Sequence, residues 1–306
     1  VREVGGIIAA ASKYMAYPMK KIGLISLVQR VVLTYKKAGI WPILVVTGFE
    51  DLEIKSNLMR DDAIFIINKD YENPPLIDSY KIGLKYLEGK CKRVILTPVN
   101  VPMFSYKTVR TMIETRGEIV IPSFNMHGGH PILIDSLRIP EILSYNGDNG
   151  LNGCIDFLGV DITWLNVNDR GVICSVHDEN ELERLLTLHN DSLLQPALSV
   201  NIRKEKVFFD SRLKLLLELI DENNSVSGAC KRMALSLSKA WTMINEVEEN
   251  LGYEIVLRRQ GGAREGRTRL SDKGREFLKN YDKFLREVEQ YTYKQFEKYF
   301  ERKKLL

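Results

Sequence analysis

The sequence predicts two folded parts: an α/β half over residues 1–195 and a small helical domain over residues 209–306, joined by a linker at 196–208. Three observations predict them. Short apolar runs alternate with amphipathic segments through the first hundred residues, the rhythm of strands and helices that builds a mostly parallel sheet with helices on both faces. Beyond residue 209 the apolar residues recur at steps of three and four, the spacing of helices. The charge changes as well. Residues 203–306 carry 23 Lys/Arg and 17 Asp/Glu, a net +6, which leaves −2 for residues 1–202. A positive excess confined to one part favours a polyanionic partner for that part.

In the first half, Gly6–Ala11, Ile43–Gly48, Ile64–Ile67 and Val94–Pro98 are the expected strands, each too apolar to sit anywhere but inside a sheet covered on both faces. Residues 24–38, 77–87 and 105–114 are the expected helices between and after them. A ligand of such a Rossmann-like sheet is expected beyond the carboxyl ends of its strands.

In the second half, Leu213, Leu216, Leu217 and Ile220 form one apolar helix face, and Val226, Ala229, Cys230 and Met233 form another. A short Ala234-Leu235-Ser236 link leads to a third helix with Ser236 as its N-cap. That helix is expected to bury Trp241, Ile244, Val247 and Leu251 and to show Ser238, Lys239, Thr242 and Asn245, side chains suited to phosphates and base edges. Two helices joined by a tight turn make a helix-turn-helix. A strand-like run at 253–257, glycines at 261, 262 and 266, and Thr268-Arg269-Leu270 then predict a hairpin wing. Arg258, Arg259, Arg264, Arg267 and Arg269 lie on or beside it, either reaching DNA phosphates or forming a solvated charged surface. Finally, Phe277, Tyr281, Phe284, Val288 and Tyr291 mark a heptad seam on a long C-terminal helix. That seam either pairs two subunits into a homodimer or lies back on its own domain.

The remaining composition excludes several classes. With 306 residues the chain can bury two cores. No apolar run is long enough to span a bilayer, so no membrane partner is expected. Cys91, Cys154, Cys174 and Cys230 are scattered, which predicts a reduced, cytoplasmic protein with neither a disulfide framework nor a zinc site. The histidines form no cluster either, so no metal ligand set is expected from spacing.

Within the second half, Leu216–Asp221, Ser225–Cys230, Ser238–Trp241, Leu251-Gly252, Arg259–Gly262 and Leu270–Gly274 occur in an order that resembles the winged-helix domain of ModE-type and LysR-type bacterial regulators. The Trp in the third helix and the Gly-Gly wing favour the ModE-like branch. The resemblance implies a winged helix-turn-helix that binds double-stranded DNA.

In the first half, Gly6–Ala11, Leu44–Gly48, Asp78-Ser79 with Gly83-Leu84, Thr97–Pro102, Gly128–Pro131 and Gly147–Leu151 resemble the MobA-like nucleotidyltransferases of molybdenum cofactor maturation, over about residues 4–192. Such enzymes transfer a nucleotide from CTP or GTP to a phosphorylated pterin, with Mg²⁺, releasing pyrophosphate. By this resemblance Ala10, Ala11, Ser12, Lys13 and Lys20 correspond to the nucleotide-binding loop, with Lys21 nearby. Gly129 and His130 correspond to the acceptor pocket, although a lone His in a Gly/Pro turn is as often structural. Asp148 corresponds to a pterin contact or to a helix cap. The departures are specific. The phosphate loop of the family is glycine-rich, whereas Ser12–Pro18 contains no glycine and is several residues short. The family's metal-binding Asp falls at Asn100, and a second acidic position falls near His177, with Asp178 as a possible substitute.

Together the two resemblances imply a transcriptional regulator linked to molybdenum cofactor metabolism, with a degenerate nucleotidyltransferase-like domain that senses a nucleotide or a molybdopterin-like ligand. The alternative is an active, Mg²⁺-dependent cytidylyl- or guanylyltransferase carrying a regulatory DNA-binding module. A third reading makes the first half a dimerisation or partner surface.

Overall fold

The structure is a computed structural model that describes residues 2–12, 17–59, 61–72, 75–258 and 268–301. The chain divides into two compact units, Val1–Leu194 and Gln195–Leu306. Among the described residues no helix is long and apolar enough to cross a membrane.

The first unit runs β1 (Arg2–Ala10), β2 (Lys21–Ile22), β3 (Ile25–Ser26), α1 (Leu27–Ala38), β4 (Ile43–Thr47), α2 (Asp51–Asn57), β5 (Ile64–Ile67), α3 (Leu76–Leu87) and β6 (Cys91–Pro98). It continues through α4 (Tyr106–Glu114), β7 (Ile119–Phe124), β8 (His127–Gly128), β9 (Ile132–Asp135), α5 (Ile139–Ser144), α6 (Gly150–Leu158), β10 (Ile162–Asn166) and α7 (Glu179–Leu193). The main sheet has the order β10-β7-β9-β6-β1-β4-β5, with β8 beside β7. β1 pairs in parallel with both β4 and β6, β4 with β5, and β7 with β10. β9 runs antiparallel to both of its neighbours.

Val4 through Ala10 are buried without interruption, as a strand covered on both faces requires. The two faces are told apart by small residues. A Cβ on Gly6 would strike the Tyr35 ring of α1, and Ile7 fills the space at Gly83 of α3. Successive residues of a strand point to opposite faces, so α1 and α3 cover opposite sides of β1. Tyr35, Leu27, Val28 and Val31 of α1 pack with Phe104, Val109 and Met112 from the segment around α4 in one continuous core.

Four strands and three helices expected in this half are present, with ends displaced by up to four residues. The helix expected from residue 24 begins at Leu27, because Ser26 caps it by accepting from the Gln29 amide at 3.2 Å, and the preceding residues form the β2–β3 hairpin. The antiparallel β9 and the strands β7 and β10 went unanticipated. β7 carries Pro122 in its interior, a residue that argues against a central strand. Here its carbonyl is kept in use by the Gly129 amide at 2.8 Å.

The second unit contains β11 (Ile202–Arg203), β12 (Val207–Phe209), α8 (Ser211–Asn223), α9 (Val226–Met233), α10 (Leu237–Leu251), β13 (Val256–Arg258), β14 (Thr268–Leu270) and α11 (Asp272–Phe296). Each helix start is set by a polar cap. Asp210, Ser225, Ser236 and Ser271 accept from the amides of Leu213, Gly228, Lys239 and Gly274. α9 ends at Ala234 in the left-handed region, with φ 51°, which turns the chain sharply into α10.

Three expectations need correction here. Residues 196–208 are not a free linker, since β11 and β12 pair and the Tyr281 hydroxyl donates to the Val200 carbonyl at 2.6 Å. The strand expected at 253–257 starts only at Val256, because the amides of Ile255 and Val256 both donate to Glu248 Oε1, at 2.8 and 3.0 Å. The seam on α11 splits in two. Phe277 and Tyr281 pack edge-on against Phe209 at 4.9 and 4.7 Å, inside the same unit. Phe284 and Tyr291 remain exposed, at 51% and 67%.

Candidate functional site

The strand order marks one edge of the sheet as the place where a ligand is expected. The chain steps outward from β1 through β4 to β5 and then returns to the other side of β1 as β6. At such a reversal the loops leaving neighbouring strands part in opposite directions and open a cleft beyond their carboxyl ends. Here that edge is formed by Ala10–Ser12 after β1 and Pro98–Asn100 after β6, tied together by the Val99 amide donating to the Ala9 carbonyl at 3.0 Å.

Further segments close around this edge. The Val176 amide donates to the Asn100 carbonyl at 2.8 Å, which brings His177 beside Asn100 although the two are 77 positions apart in sequence. His130 lies just before β9, whose pairing with β6 carries the Gly129-His130 turn to the carboxyl end of β6. Its amide donates to the Val172 carbonyl at 2.8 Å. Gly129 is required there, because a Cβ would stand 2.2 Å from that carbonyl oxygen. At the other end of the edge, a Cβ on Gly48 would stand 2.3 Å from the Ala11 carbonyl oxygen.

The structure thus gathers Ala10, Ala11, Ser12, Asn100, Gly129, His130 and His177 around one strand edge. The residues differ in what they offer. Ala10 and Ala11 are buried, at 1% and 2%, so they form the floor of the edge and present no side chain. Ser12 is half-buried, and Lys13 lies outside the described residues. Lys20 was expected at phosphate, but it is engaged with Glu179 at the start of α7, Nζ to Oε1 2.5 Å. Lys21 is exposed. Asp148 caps nothing. α6 follows Asn149, which is in the left-handed region and makes no capping bond, while the Tyr145 hydroxyl donates to the Asp148 carbonyl. Asp148 itself is exposed.

Divalent metal does not fit the donors present. Mg²⁺ is held chiefly by carboxylates. Asn100 offers one enclosed amide oxygen with no hydrogen-bond partner, and His177 is an exposed imidazole. Asp178, the possible substitute, uses its Oδ1 to cap α7, accepting from the Glu181 amide at 3.1 Å. Glu179 is neutralised by Lys20. Among the described residues no three His, Cys, Asp or Glu side chains come together.

Two buried histidines make the fold sensitive to acid. The enclosed Nδ1 of His130 has no partner, and burial pushes its pKa down to about 4. His189 of α7 is pushed to about 3, by burial first and by the Arg30 charge second. Arg30 is itself buried, and its described partners are all uncharged: the Ile22 carbonyl, His189 Nδ1 at 3.1 Å and Asn190 Oδ1 at 2.9 Å. Sequence reading missed this arrangement, which fastens the β2–β3 hairpin to α7; nothing in a lone Arg on a helix signals it. Both folded pKa values lie below the unfolded value, so the unfolded chain binds more protons as pH falls. The stability is fully present above about pH 6.5 and each histidine removes about 2 kcal/mol of it by about pH 4.5. Unfolding followed between neutral and acid pH should show this loss, and His130→Gln and His189→Gln should each flatten part of the slope. An unchanged slope in both variants would assign the loss to carboxylates instead.

In the second unit Ser238, Lys239, Thr242 and Asn245 are all exposed on α10, as expected. Trp241 and Leu251 are only half-buried, contrary to expectation. Trp241 is covered from outside by the Arg258 guanidinium, 4.9 Å from its ring centroid. Arg258 also donates to Asn245 Oδ1 at 2.7 Å and to Glu248 Oε2 at 2.9 Å. Arg269 is exposed on β14, and Arg259, Arg264 and Arg267 lie outside the described residues.

The strand order, reversing at β1–β6, gives the first unit an open α/β fold with a mostly parallel sheet. Residues 18–162 match the family model of the MobA-like NTP transferase domain. No curated protein matches the chain. Among solved structures the fold is similar to Rv0371c from Mycobacterium tuberculosis H37Rv, with TM-score 0.53 and 17% identity over 61% of this chain and 98% of that one. It is equally similar to a nucleotidyl transferase from Methanothermobacter thermautotroptrophicus, Mth528, with TM-score 0.53 and 17% identity over 61% of this chain and 100% of that one. A manganese complex of Rv0371c gives TM-score 0.52 and 16% identity, over 61% and 99%. At these identities the likeness is one of fold.

Proposed function

We propose that this protein is a DNA-binding transcriptional regulator in which the MobA-like unit serves as a sensor for a nucleotide or a molybdopterin-like ligand. The observation that carries the reading is the exposed face of α10. Ser238, Lys239, Thr242 and Asn245 stand on it together, α9 and a tight turn precede it, and the β13–β14 pair follows it. This order supports reading the unit as a winged helix-turn-helix, in which the second helix would enter the major groove and the wing would track the backbone. The +6 charge of residues 203–306 supports a nucleic-acid partner.

The sensor role rests on the donors around Asn100. With a neutral amide and an imidazole where the family resemblance implies carboxylates, phosphate orientation by a metal loses its anchors, and that orientation is the main lever of phosphoryl-type transfer. Ligands of open α/β sheets sit beyond the carboxyl ends of the strands at such a reversal, which supports placing a nucleotide or pterin there. Coupling between the two units requires only that the ligand bind one DNA-binding arrangement of the dimer more tightly than another. The exposed half of the α11 seam, Phe284 to Tyr291, is the surface on which we place the homodimer contact.

The test is binding of the full chain to a fluorescent random-sequence duplex. Affinity should fall by at least about a hundredfold between roughly 50 and 200 mM salt, as several phosphate contacts require. Absence of salt-dependent binding would remove DNA from the account.

A further inference from the structure

We infer that Tyr17 and His177 form an aromatic corner that holds a planar heteroaromatic ring at the β1–β6 edge by stacking, without a divalent metal. The inference rests on the sensor reading above and names the part of the ligand that the first unit recognises.

The corner lies at the edge already described. The Val176 amide donates to the Asn100 carbonyl at 2.8 Å, which brings His177 to the carboxyl end of β6. Tyr17 reaches the same place from the segment between β1 and β2. Its ring and the imidazole meet edge to face, with centroids 6.3 Å apart and planes at 83°. Both side chains are exposed, Tyr17 at 47%. Two rings at right angles leave a corner, in which a flat ring stacked on one stands edge-on to the other, and both are favoured aromatic geometries. A base or a pterin offers such a ring, and stacking of this kind uses no metal. The position that the family resemblance gives to a metal-binding carboxylate is thus taken by an imidazole facing an aromatic ring.

The backbone at Tyr17 points the same way. Its φ is 46°, in the left-handed region, which a bulky residue adopts at a cost and glycine adopts freely. The surrounding turn imposes that conformation. The Lys20 amide donates to the Tyr17 carbonyl at 3.0 Å, and the Val28 amide at the start of α1 donates to the Pro18 carbonyl at 3.1 Å. Residues held in this way cluster at ligand contacts. The strain also supplies a clean variant. Tyr17→Gly removes the ring and suits the backbone, so it separates what the ring does for a ligand from what it does for the fold.

The experiment is titration calorimetry of the full chain with guanosine, cytidine, neopterin and GTP, each in Mg²⁺ and in EDTA, with melting followed in parallel. The expected result is binding of one or more of the three phosphate-free compounds in EDTA. Tyr17→Gly should weaken it by about tenfold, within the range of one lost base–aromatic stack, and should not lower the melting temperature. His177→Leu should weaken it as well. Binding of GTP alone, and only with Mg²⁺, would overturn the inference and leave the sensor reading standing. Unchanged affinity in both variants would do the same, as would a Tyr17→Gly chain that melts below the parent and keeps its affinity. If no compound binds under either condition, the sensor reading falls together with the inference.

Discussion

Asn100→Asp combined with His177→Asp is expected to raise the affinity of the first unit for a divalent metal. The two positions are brought near each other by the Val176 amide, which donates to the Asn100 carbonyl at 2.8 Å, and carboxylates are the ligands Mg²⁺ and Mn²⁺ take. Without metal the double variant should melt below the parent, since an enclosed oxygen that has no partner as an amide would carry charge as a carboxylate. With Mn²⁺ at a hundred times its dissociation constant, binding contributes about 2.7 kcal/mol. For a unit of this size that raises the melting temperature by about 5–10 °C. The parent chain should show no comparable rise. An equal rise in the parent would mean that other groups hold the metal. Neither this variant nor Asn100→Asp alone should restore nucleotidyl transfer, because Ser12–Pro18 still lacks the glycines of a phosphate cradle and Lys20 is engaged with Glu179.

Loss of the wing arginines should change how DNA binding responds to salt. Arg264→Ala and Arg267→Ala are each expected to weaken binding across all sequences and to lower the slope of log affinity against log salt by about one, the signature of one lost phosphate contact. The double variant should lose about two. Lys239→Ala lies on the exposed face of α10 and should alter sequence preference instead. A slope that stays the same in the double variant would take the wing out of the interface and leave those arginines as solvated charge.

Much of this fold was legible because its signals are local. Val4–Ala10 and Ile43–Val46 are apolar without interruption and admit no position but the middle of a covered sheet. Ser236 and its three-residue spacing to the Lys239 amide announced the start of α10. Where a long-range partner decided the outcome, the sequence was silent. β7 was not expected, and Pro122 in its interior has no amide hydrogen to give a strand ladder. Tyr253–Ile255 looked like strand until Glu248, from the preceding helix, took the amides of Ile255 and Val256. The site followed the same division. Asn100 and His177 stood out as departures from a family pattern, while their adjacency depended on the Val176–Asn100 bond. The family resemblance placed Lys20 at the nucleotide-binding loop, and nothing in the sequence signals its ion pair with Glu179, 159 positions away. Asn245 and Arg258 were each expected at DNA as separate contacts, and only the folded chain joins them by a hydrogen bond.

The most direct test of the central claim is pyrophosphate release by the full chain with CTP or GTP, Mg²⁺ and molybdopterin, run beside a working MobA-like enzyme. The account predicts a rate at least about a hundredfold below that control, as losses of transition-state charge stabilisation produce. Turnover comparable to the control would contradict it: Asn100, His177 and the short loop would then be compatible with catalysis, and the protein would be a nucleotidyltransferase with a second unit attached.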